Sequence, residues 1–473
     1  MKLYKSLLVG IAAVVGLSSC NDWLDVNDNP NSPQTDKAHY SQLIPWSQFY
    51  MNHIYGIVAS NSSMYTGHWY RPYTTQMGYA ATWRLGNASL SCRNATAQQW
   101  FYTMVANNYK PMYESSMNAG AYHYAGVAKF LRAWGYFMLV DNMGEVPYTD
   151  ACTTNNAPTY DSGEFIYLDC LKELDEAIKL FEKTQESNTT PLSAADYWNG
   201  GDVQKWIKAC YLFKARYMNH MSKKSAGKWS EGKYDEAEIL ACLDKAQMSN
   251  ADNTIVRHQD TNTNSHDVLG WNEPVDYNPL FSCVGMNSNI YVTKTYTDLL
   301  TNFDGKGVED PRANKFIPWA RSEKSDSTDA SIVWSEDGKW RRSLGVDIVN
   351  TNIINENGPY ASSFGLQTAA KWNKLFDTAS WQYKVPHWYC DDLSRQNDTV
   401  YISTLCGGDG YYRNSSRNIF YRVEFEKVRQ EKSERTGVAT VRATTPSYVA
   451  SYAEACFIRA EVLMRKGDKG GAY

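Results

Sequence analysis

Apolar residues recur every three to four positions in four stretches of the chain, and this period constrains the fold more than any other feature. Residues 163–183 and 203–221 carry two such series, and 119–140 and 448–466 carry two more. In 163–183 the apolar positions are Phe165, Leu168, Leu171, Leu174, Ile178 and Phe181. This spacing places them on one face of an amphipathic helix. The sequence therefore predicts four helices, the last of which ends at Gly467.

The predicted helices follow one another as antiparallel pairs. The pairs consist of 119–140 with 163–183, and of 203–223 with 234–248. Alanines stand where neighbouring helices need to approach closely. The pattern resembles tetratricopeptide-like stacking, in which each helical hairpin buries one face against the next. We therefore predict a mainly α fold, with a tetratricopeptide-like scaffold formed by about 38–249 and 446–473.

The stretch 250–445 has a different character. It is rich in Asn, Asp, Gly, Ser and Trp, and only short pieces such as 400–402 and 419–425 have an extended pattern. So long a stretch is rarely structureless inside a compact domain, and binding residues often lie on loops carried by a rigid scaffold. We predict an irregular, loop-rich ligand-binding lobe within a single domain at 38–473. Because no partner follows the helix at 448–466, we expect the chain to be truncated at its C-terminus.

The N-terminus is typical of a bacterial lipoprotein. Lys2 and Lys5 precede an apolar run from 7 to 17, which leads through small residues to Cys20. This run is too short to span a membrane and indicates a cleaved signal peptide, 1–19. Cys20 stands in the lipobox position, so we predict a diacylated thiol and an N-acyl chain such as palmitate, which suffice for stable anchoring. Residues 20–37 are then a lipidated flexible tether; an ordinary secretory signal is the alternative.

Charge and cysteine content exclude several classes of protein. The formal net charge is -4, from 47 basic and 51 acidic residues without a basic stripe, which argues against nucleic acid as a partner. The absence of a CxxC pair argues against a zinc site. Four cysteines lie within helical patterns and are interpreted as small buried apolar residues: Cys170, Cys210, Cys242 and Cys456. A disulfide between Cys390 and Cys406 is left open.

Catalytic and metal-binding motifs are missing from the sequence. It contains no nucleophile elbow, phosphate-binding loop, dinucleotide turn or HExxH helix. The segment 260–271 begins like a calcium loop, but Ser265 and Trp271 stand where the loop needs Gly and Glu, so calcium is left open. Glu173, Asp175 and Glu176 are interpreted as solvated residues on the polar face of a helix. We predict a protein without a cofactor, a metal site or enzymatic activity.

Aromatic residues with a polar group are unusually abundant, with 34 Tyr and 16 Trp against 15 Phe. Many cluster in loops beside Asn, Asp, Gln and Arg. Indole and phenol rings pack against the apolar face of a sugar, while polar neighbours bond its hydroxyls; the same mixture suits a peptide backbone. The candidate ligand-binding residues are Trp69, Tyr70, Trp83, Trp271, Asn272, Tyr277 and Trp319. The alternative is that these side chains pack the loops onto the scaffold.

Several motifs resemble the SusD/RagB-like lipoproteins of Bacteroidetes. They are CNDWLDVN at 20–27, NPN at 29–31, LRAWGYF at 131–137, DNMGEVPY at 141–148, KWIKA at 205–209, ARY at 215–217, DPR at 310–312, YAE at 452–454 and AE at 460–461. They occur in the family's order and run from Cys20 to near the end of the chain. In the family these helical motifs are structural and do not bind ligand.

The resemblance implies a helical scaffold of tetratricopeptide-like pairs with an irregular ligand-binding lobe. It also implies a lipid-anchored protein of the outer membrane, facing the cell surface. Such a protein captures oligosaccharides and passes them to a TonB-dependent, SusC-like transporter, over which it acts as a lid. Oligopeptides are the alternative cargo. Family members continue beyond their final helical pairs, so the chain's end at Tyr473 departs from the family pattern.

Overall fold

The computed structural model of the protein describes the helical part of the chain and several short strands. The residues described are 38–70, 94–224, 229–258, 279, 291–301, 305–306, 308–317, 319–321, 340–342, 366–367, 400–401 and 445–473. Cys20 and the tether lie outside these ranges, as do Cys390, Cys406 and the extended piece predicted at 419–425. The piece predicted at 400–402 contains a strand at Val400–Tyr401.

Helices dominate the described residues. They are α1 (Tyr40–Tyr65), α2 (Asn94–Trp100), α3 (Asn107–Asn118), α4 (Tyr122–Met143), α5 (Gly163–Phe181), α6 (Val203–His220), α7 (Glu236–Leu243), α8 (Lys294–Thr301), α9 (Ala313–Phe316), α10 (Tyr452–Lys466) and α11 (Lys469–Ala472). A π-helical segment, Phe101–Ala106, joins α2 to α3. Short 3-10 helices lie at Leu192–Ala194, Met221–Lys223 and Asn250–Asp252. The mainly α fold predicted from the sequence is thus confirmed.

The strands are short and form antiparallel pairs. They are β1 (Trp69–Tyr70), β2 (Val146–Pro147), β3 (Tyr160–Asp161), β4 (Thr254–Val256), β5 (Tyr291–Val292), β6 (Trp319–Arg321), β7 (Trp340–Arg342), β8 (Leu366–Gln367), β9 (Val400–Tyr401) and β10 (Ser447–Ala450). The pairs are β1 with β5, β2 with β3, β4 with β10, β6 with β7, and β8 with β9. These two-stranded pairs build no continuous sheet among the described residues.

Side-chain caps set the start of α5, α6 and α7. The Ser162 side chain accepts a hydrogen bond from the backbone N–H of Phe165 at the start of α5. Asp202 and Asp235 cap α6 and α7 in the same manner, each with two N–H partners. Such caps bond N–H groups that have no partner within the helix, and each cap typically stabilises the fold by about 1 kcal/mol. These three caps fix where α5, α6 and α7 begin.

The helix pairs are antiparallel, as predicted. At one end of the α4–α5 pair a Cβ on Gly126 would lie 2.9 Å from the Phe181 ring, and at the other end one on Gly163 would lie 3.0 Å from Val140. Helix α6 then returns along α5, with the Trp206 ring stacked on Phe181 at 6.0 Å between centroids. Small residues therefore permit the close approach on which the stacked hairpins depend.

A buried carboxylate joins α1 to the α5–α6 connection. Asp196, which is 4% exposed, accepts hydrogen bonds from the side chains of Gln48 (2.8 Å) and Trp206 (2.7 Å). It also accepts from the backbone N–H groups of Trp198 and Gly201. A buried charge with this many donors is well compensated, because each donor replaces a lost water. The network fixes the loop before α6 against the first helix.

The structure corrects several details of the helix predictions. Glu173, interpreted as solvated, is 7% exposed, whereas Phe165, assigned to the apolar face of the same helix, is 47% exposed. The buried face of α5 is rotated to include Glu173 because Arg132 and Lys129 of α4 supply charge partners for its carboxylate. Cys170, Cys210 and Cys242 are buried as predicted, but Cys456 is exposed. It lies on the outer face of α10.

The C-terminal part of the described chain packs back onto the scaffold. The predicted helix at 448–466 begins only at Tyr452, because Ser447–Ala450 pairs with β4 and Ser451 caps the helix. Gly467 ends α10 with φ 86°, the left-handed conformation expected of a C-terminal glycine. The predicted helix at 234–248 is also shorter, since α7 ends at Leu243. Arg216 of α6 donates to Glu454 of α10 and holds the seam closed.

Candidate functional site

The structure describes three of the seven predicted ligand-binding residues. Trp69 and Tyr70 form β1, which pairs with β5 in the register Trp69 to Val292. Trp319 begins β6, opposite Arg342 of β7. Four others, Trp83, Trp271, Asn272 and Tyr277, lie outside the described residues.

Trp69 occupies a packed position. Its side chain is 8% exposed and belongs to the apolar core. A hydrogen bond holds the adjoining backbone in place: the backbone N–H of Thr293 donates to the carbonyl of His68 at 3.0 Å. This burial agrees with the packing alternative for Trp69. Ligand contact by the seven residues as a set stays a prediction.

A cavity of about 290 Å³ lies elsewhere, on the helical scaffold. We call it the tyrosine cavity. It is lined by Ala106, Asn107, Tyr109, Lys110, Tyr113, Glu114, Arg132, Tyr136, Tyr148, Thr149, Ala151, Cys152 and Thr153. None of the seven predicted ligand-binding residues is among them. The lining comes from the end of the π-helical segment, from α3, from α4 and from the loop that follows β2.

Helical spacing places the main side chains of the tyrosine cavity side by side. Tyr109 and Tyr113 stand four residues apart on α3, and their rings stack with centroids 5.6 Å apart and planes 21° apart. Arg132 and Tyr136 stand four residues apart on α4. Residues four apart share one helix face, so each helix presents two of these groups to the same space.

Two aspartates hold the loop that closes the tyrosine cavity. Asp161 of β3 accepts hydrogen bonds from the backbone N–H groups of Tyr148 (3.1 Å) and Thr149 (2.8 Å). Asp150 accepts from the amide of Asn155 at 2.7 Å and from the backbone N–H of Thr159 at 3.3 Å. These bonds within the loop fix the wall of the cavity.

Arg132 lies at the centre of the tyrosine cavity. Its guanidinium carbon is 4.4 Å from the ring centroid of Tyr148, 4.9 Å from that of Tyr109 and 5.1 Å from that of Tyr136. One terminal nitrogen, Nη1, donates both to the Glu173 carboxylate and to the Tyr148 hydroxyl. Three aromatic rings around one cation give a rigid cation–π arrangement.

The charge on Arg132 is secure. Burial alone would lower the pKa of this guanidinium, but the Glu173 carboxylate and the surrounding phenols raise it above the ordinary value. Arginine is protonated throughout the physiological range in any case. The tyrosine cavity therefore contains a permanent cation whose counter-charge, Glu173, sits behind it in the core.

Three phenols of the tyrosine cavity, Tyr109, Tyr136 and Tyr148, remain protonated at neutral pH. Burial, together with the negative charge of Glu173, raises the pKa of Tyr109 to about 12. Burial likewise raises the pKa of Tyr136 and of Tyr148 far above the ordinary value. The Tyr148 hydroxyl donates to Asp169 at 2.6 Å, so it is fixed in place. These hydroxyls can act as hydrogen-bond donors, but they are poor proton acceptors for acid–base catalysis at neutral pH.

Cys152 stands on the wall of the tyrosine cavity in an unusual backbone conformation. Its φ of 58° makes it the non-glycine residue with positive φ among those the structure describes. Such residues cost free energy and cluster at functional sites. Its Sγ lies 3.6 Å from the backbone carbonyl oxygen of Tyr102, and burial raises the pKa of the thiol.

The sequence shows which residues of the tyrosine cavity share a helix face, but not that these faces meet. The four-residue spacing of Tyr109 with Tyr113 and of Arg132 with Tyr136 is visible in it. However, the stretch that contains Arg132 was interpreted as purely structural. The contribution of the 148–153 loop depends on contacts between residues far apart in sequence, so no local pattern reveals it.

Neither a metal-type cluster nor a membrane-spanning helix is found among the described residues. Within them, no three His, Cys, Asp or Glu side chains converge as a metal site would require. No helix in the described ranges has the length and apolar character needed to cross a bilayer.

Comparison with solved structures finds the same fold in several proteins. A SusD/RagB family protein from Bacteroides thetaiotaomicron is 18% identical, with a TM-score of 0.53, over 90% of this chain and 69% of that one. A chitin-binding SusD homologue from Flavobacterium johnsoniae is 15% identical, with a TM-score of 0.52, over 92% and 67%. A SusD-like protein from Bacteroidetes is 16% identical, with a TM-score of 0.55, over 91% and 73%.

Comparison with protein families is more specific. No curated protein matches the chain. Residues 37–360 match the profile of the SusD-like proteins, described as "Starch-binding associating with outer membrane". The matched region contains α1 to α9 and all residues of the tyrosine cavity. Since this match extends over more than half of the sequence, the chain belongs to the SusD-like family.

Proposed function

We propose that the protein captures oligosaccharides at the outer membrane and passes them to a TonB-dependent, SusC-like transporter as its lid. The observation that carries this proposal is the match of residues 37–360 to a family described as starch-binding and associated with the outer membrane. The chitin-binding homologue with the same fold supports a polysaccharide-derived cargo. In this role the protein binds its cargo without altering it.

The chemistry of the described residues agrees with binding. The tyrosine cavity combines phenol rings, protonated hydroxyls and one fixed guanidinium, which are groups that recognise a polar ring. A hydrolase of glycans usually needs two carboxyl groups on either side of the scissile bond. The one carboxylate that lines the tyrosine cavity, Glu114, is paired with Lys110 at 3.9 Å. This arrangement favours recognition over hydrolysis.

Membrane attachment completes the proposed role. Cys20 is the proposed lipidation site, and 20–37 would tether the folded body to the membrane. A triacylated cysteine supplies more than the two signals that stable anchoring requires. Within this proposal, 250–445 supply the ligand-binding loops, including Trp271 and Tyr277, and the helical scaffold holds them over the transporter.

A pull-down from native outer membranes tests the proposal. The natural full-length lipoprotein is captured under mild detergent, and everything retained is identified by mass spectrometry, protein and small oligomer alike. We expect a large β-barrel transporter together with bound saccharide. Absence of a barrel would contradict the lid role, and a barrel with bound peptide would contradict the saccharide cargo. A Cys20→Ala variant that stays soluble and unacylated serves as the control for the anchor.

Direct titration tests the cargo separately. Maltohexaose and chitohexaose are added to the purified protein in a calorimeter. Stacking and hydrogen bonding in an open site give affinities in the micromolar range, about -8 kcal/mol. Failure of both oligosaccharides and of a broad glycan array to bind would overturn the proposed cargo.

A further inference from the structure

We propose that the tyrosine cavity is a binding site for one neutral sugar ring, separate from the loop residues in which ligand contact was predicted. This inference rests on the proposed function for its ligand class. It assigns the site to the helical scaffold, in a stretch whose motifs are structural in the family.

The size of the tyrosine cavity suits a single ring. Its volume of about 290 Å³ is at the lower end of the range for small-molecule sites. A dry cavity of about 150 Å³ is enough for benzene, so this space accepts a ring with several hydroxyl groups around it. The space takes one ring of an oligomer, at an end or a branch.

The strongest pointer to a ligand is the hydroxyl of Tyr136. Tyr136 is 2% exposed and lines the cavity. Within the described part of the chain its ring contacts are with Arg132, Phe101, Tyr102 and Tyr148, and its hydroxyl has no hydrogen-bond partner. Although the residue is buried, its hydroxyl oxygen reaches the open space of the cavity, so a ligand hydroxyl can replace water as its hydrogen-bond partner.

Arg132 has hydrogen-bonding capacity to spare. Its partners among the described residues, Glu173 and Tyr148, both bond to Nη1. A guanidinium carries five N–H donors in a fixed plane, so Nε and Nη2 can donate to ligand hydroxyls. The Tyr136 hydroxyl and the Arg132 guanidinium stand on the same face of α4. They are thus positioned to bond two oxygens of one ring.

The charges around the tyrosine cavity favour a neutral ligand. Arg132 is balanced by Glu173, Lys129 by Glu176 at 2.7 Å, and Lys110 by Glu114. An anionic ligand would gain little from cations that already have counter-ions close by. Ring hydroxyls can bond the free donors without displacing any carboxylate, which matches an uncharged sugar.

Protection of Cys152 from alkylation tests the site. Cys152 lines the cavity and is exposed, and Cys456 on α10 is an exposed cysteine outside its lining. Purified protein is treated with iodoacetamide at mildly alkaline pH, with and without saturating maltohexaose, chitohexaose, glucose or N-acetylglucosamine. Peptide mass spectrometry reads each cysteine separately. We expect one sugar series to slow alkylation of Cys152 while that of Cys456 is unchanged.

A hydroxyl deletion gives the second readout. Tyr136→Phe removes the unbonded hydroxyl and leaves the ring, so the fold is retained; the matched control is Tyr234→Phe, whose ring faces Arg465 outside the cavity lining. We expect Tyr136→Phe to weaken sugar protection of Cys152 about fivefold in concentration, the effect of one neutral hydrogen bond. Tyr234→Phe should leave it unchanged.

The outcomes separate this inference from the proposed function. If calorimetry shows that no probe sugar binds, the proposed function fails and the inference fails with it. If a sugar binds but Cys152 is alkylated equally fast with and without it, the proposed function stands and the inference is overturned. Protection that is equal in the wild type and in Tyr136→Phe would remove Tyr136 from the site and overturn the geometry proposed here.

Discussion

Two largely buried arginines of the scaffold, Arg132 and Arg216, have nearly the same surroundings but use their hydrogen-bond donors differently. The side chains of Arg132 and Arg216 are 17% and 13% exposed, each is paired with a glutamate, and each lies against aromatic rings. Arg132 borders the tyrosine cavity, whereas Arg216 lies at the seam between α6 and α10. Burial and ion pairing alone therefore do not show whether an arginine is structural or available to a ligand.

The difference lies in the hydrogen-bond geometry. Arg216 binds Glu454 through two nitrogens, Nε at 2.5 Å and Nη2 at 2.7 Å, and Nη2 also donates to the carbonyl of Val449 at 2.9 Å. Arg132 directs Nη1 alone to its described partners. A guanidinium whose N–H donors are bonded on both sides acts as a structural link. One that is bonded on a single side has donors available to a ligand. Spare donors at a cavity therefore separate a binding arginine from a structural one.

Breaking the seam should have the largest effect. Arg216→Met leaves Glu454 without its partner and removes the hydrogen bonds that Arg216 makes to β10 and α10. We expect a loss of about 3 kcal/mol in the free energy of unfolding, at the low end for a broken buried pair because Glu454 keeps some solvent. Urea unfolding followed by circular dichroism measures it.

The matched control replaces both members of the pair. Arg216→Met with Glu454→Leu removes the unpaired carboxylate and should recover most of the lost stability. If the double variant were as unstable as Arg216→Met, the loss would come from packing of the guanidinium on Phe213 rather than from the ion pair.

The corresponding substitution at the tyrosine cavity, Arg132→Met, should lower the free energy of unfolding by less. Arg132→Met leaves Glu173 buried, but Lys129 remains 3.8 Å from that carboxylate and can take over as its partner. We expect a loss of about 2 kcal/mol, smaller than at Arg216 because one cation is retained. A loss larger than that of Arg216→Met would reverse the distinction between the two arginines.

The sequence predicted the scaffold well because amphipathic helices carry their fold signal locally. The α4–α5 and α6–α7 pairs and the stop at Gly467 were all visible in spacing and in small residues. Errors occurred where distant partners changed a residue's environment. Glu173 is buried because α4 supplies Arg132, and 447–450 form a strand because β4 lies beside them.

Local sequence patterns of this kind do not predict the tyrosine cavity. Its lining combines α3, α4 and the 148–153 loop, and the loop is set by bonds to Asp161 of β3. A local period shows which residues share a helix face, but it does not show which faces meet around an open space. The loop residues chosen for their aromatic character stay predictions, with Trp69 in a packed position.

Alkaline pH should weaken the tyrosine cavity before it weakens the seam. The pKa of Tyr109 is raised to about 12, against about 10 in an unfolded chain. A folded-state pKa above the unfolded value gives stability that is complete below pH 10 and is lost as the pH rises towards 12. We expect wild type to lose about 1–2 kcal/mol more than Tyr109→Phe over this range.

Unfolding titrations of the two proteins at matched pH measure this difference, and Tyr197→Phe, which removes an exposed phenol, serves as the control. Parallel pH profiles for wild type and Tyr109→Phe would mean that the Tyr109 hydroxyl reaches solvent in the folded state. The description of a phenol held protonated by burial and by Glu173 would then be wrong.

The smallest effects should distinguish two neighbouring hydroxyls of the tyrosine cavity. Tyr148→Phe removes a hydroxyl that donates to Asp169 and accepts from Arg132, so we expect a loss of about 1–2 kcal/mol in unfolding free energy. Tyr136→Phe removes a hydroxyl without a described partner and should change stability by less than about 0.5 kcal/mol. Sugar binding should show the opposite order, because only the unbonded hydroxyl is free to meet a ligand. Equal loss of stability in the two variants would show that the Tyr136 hydroxyl is already bonded within the protein. The spare donors of Arg132, which distinguish it from Arg216, would then have no free hydroxyl beside them to help bind a ligand.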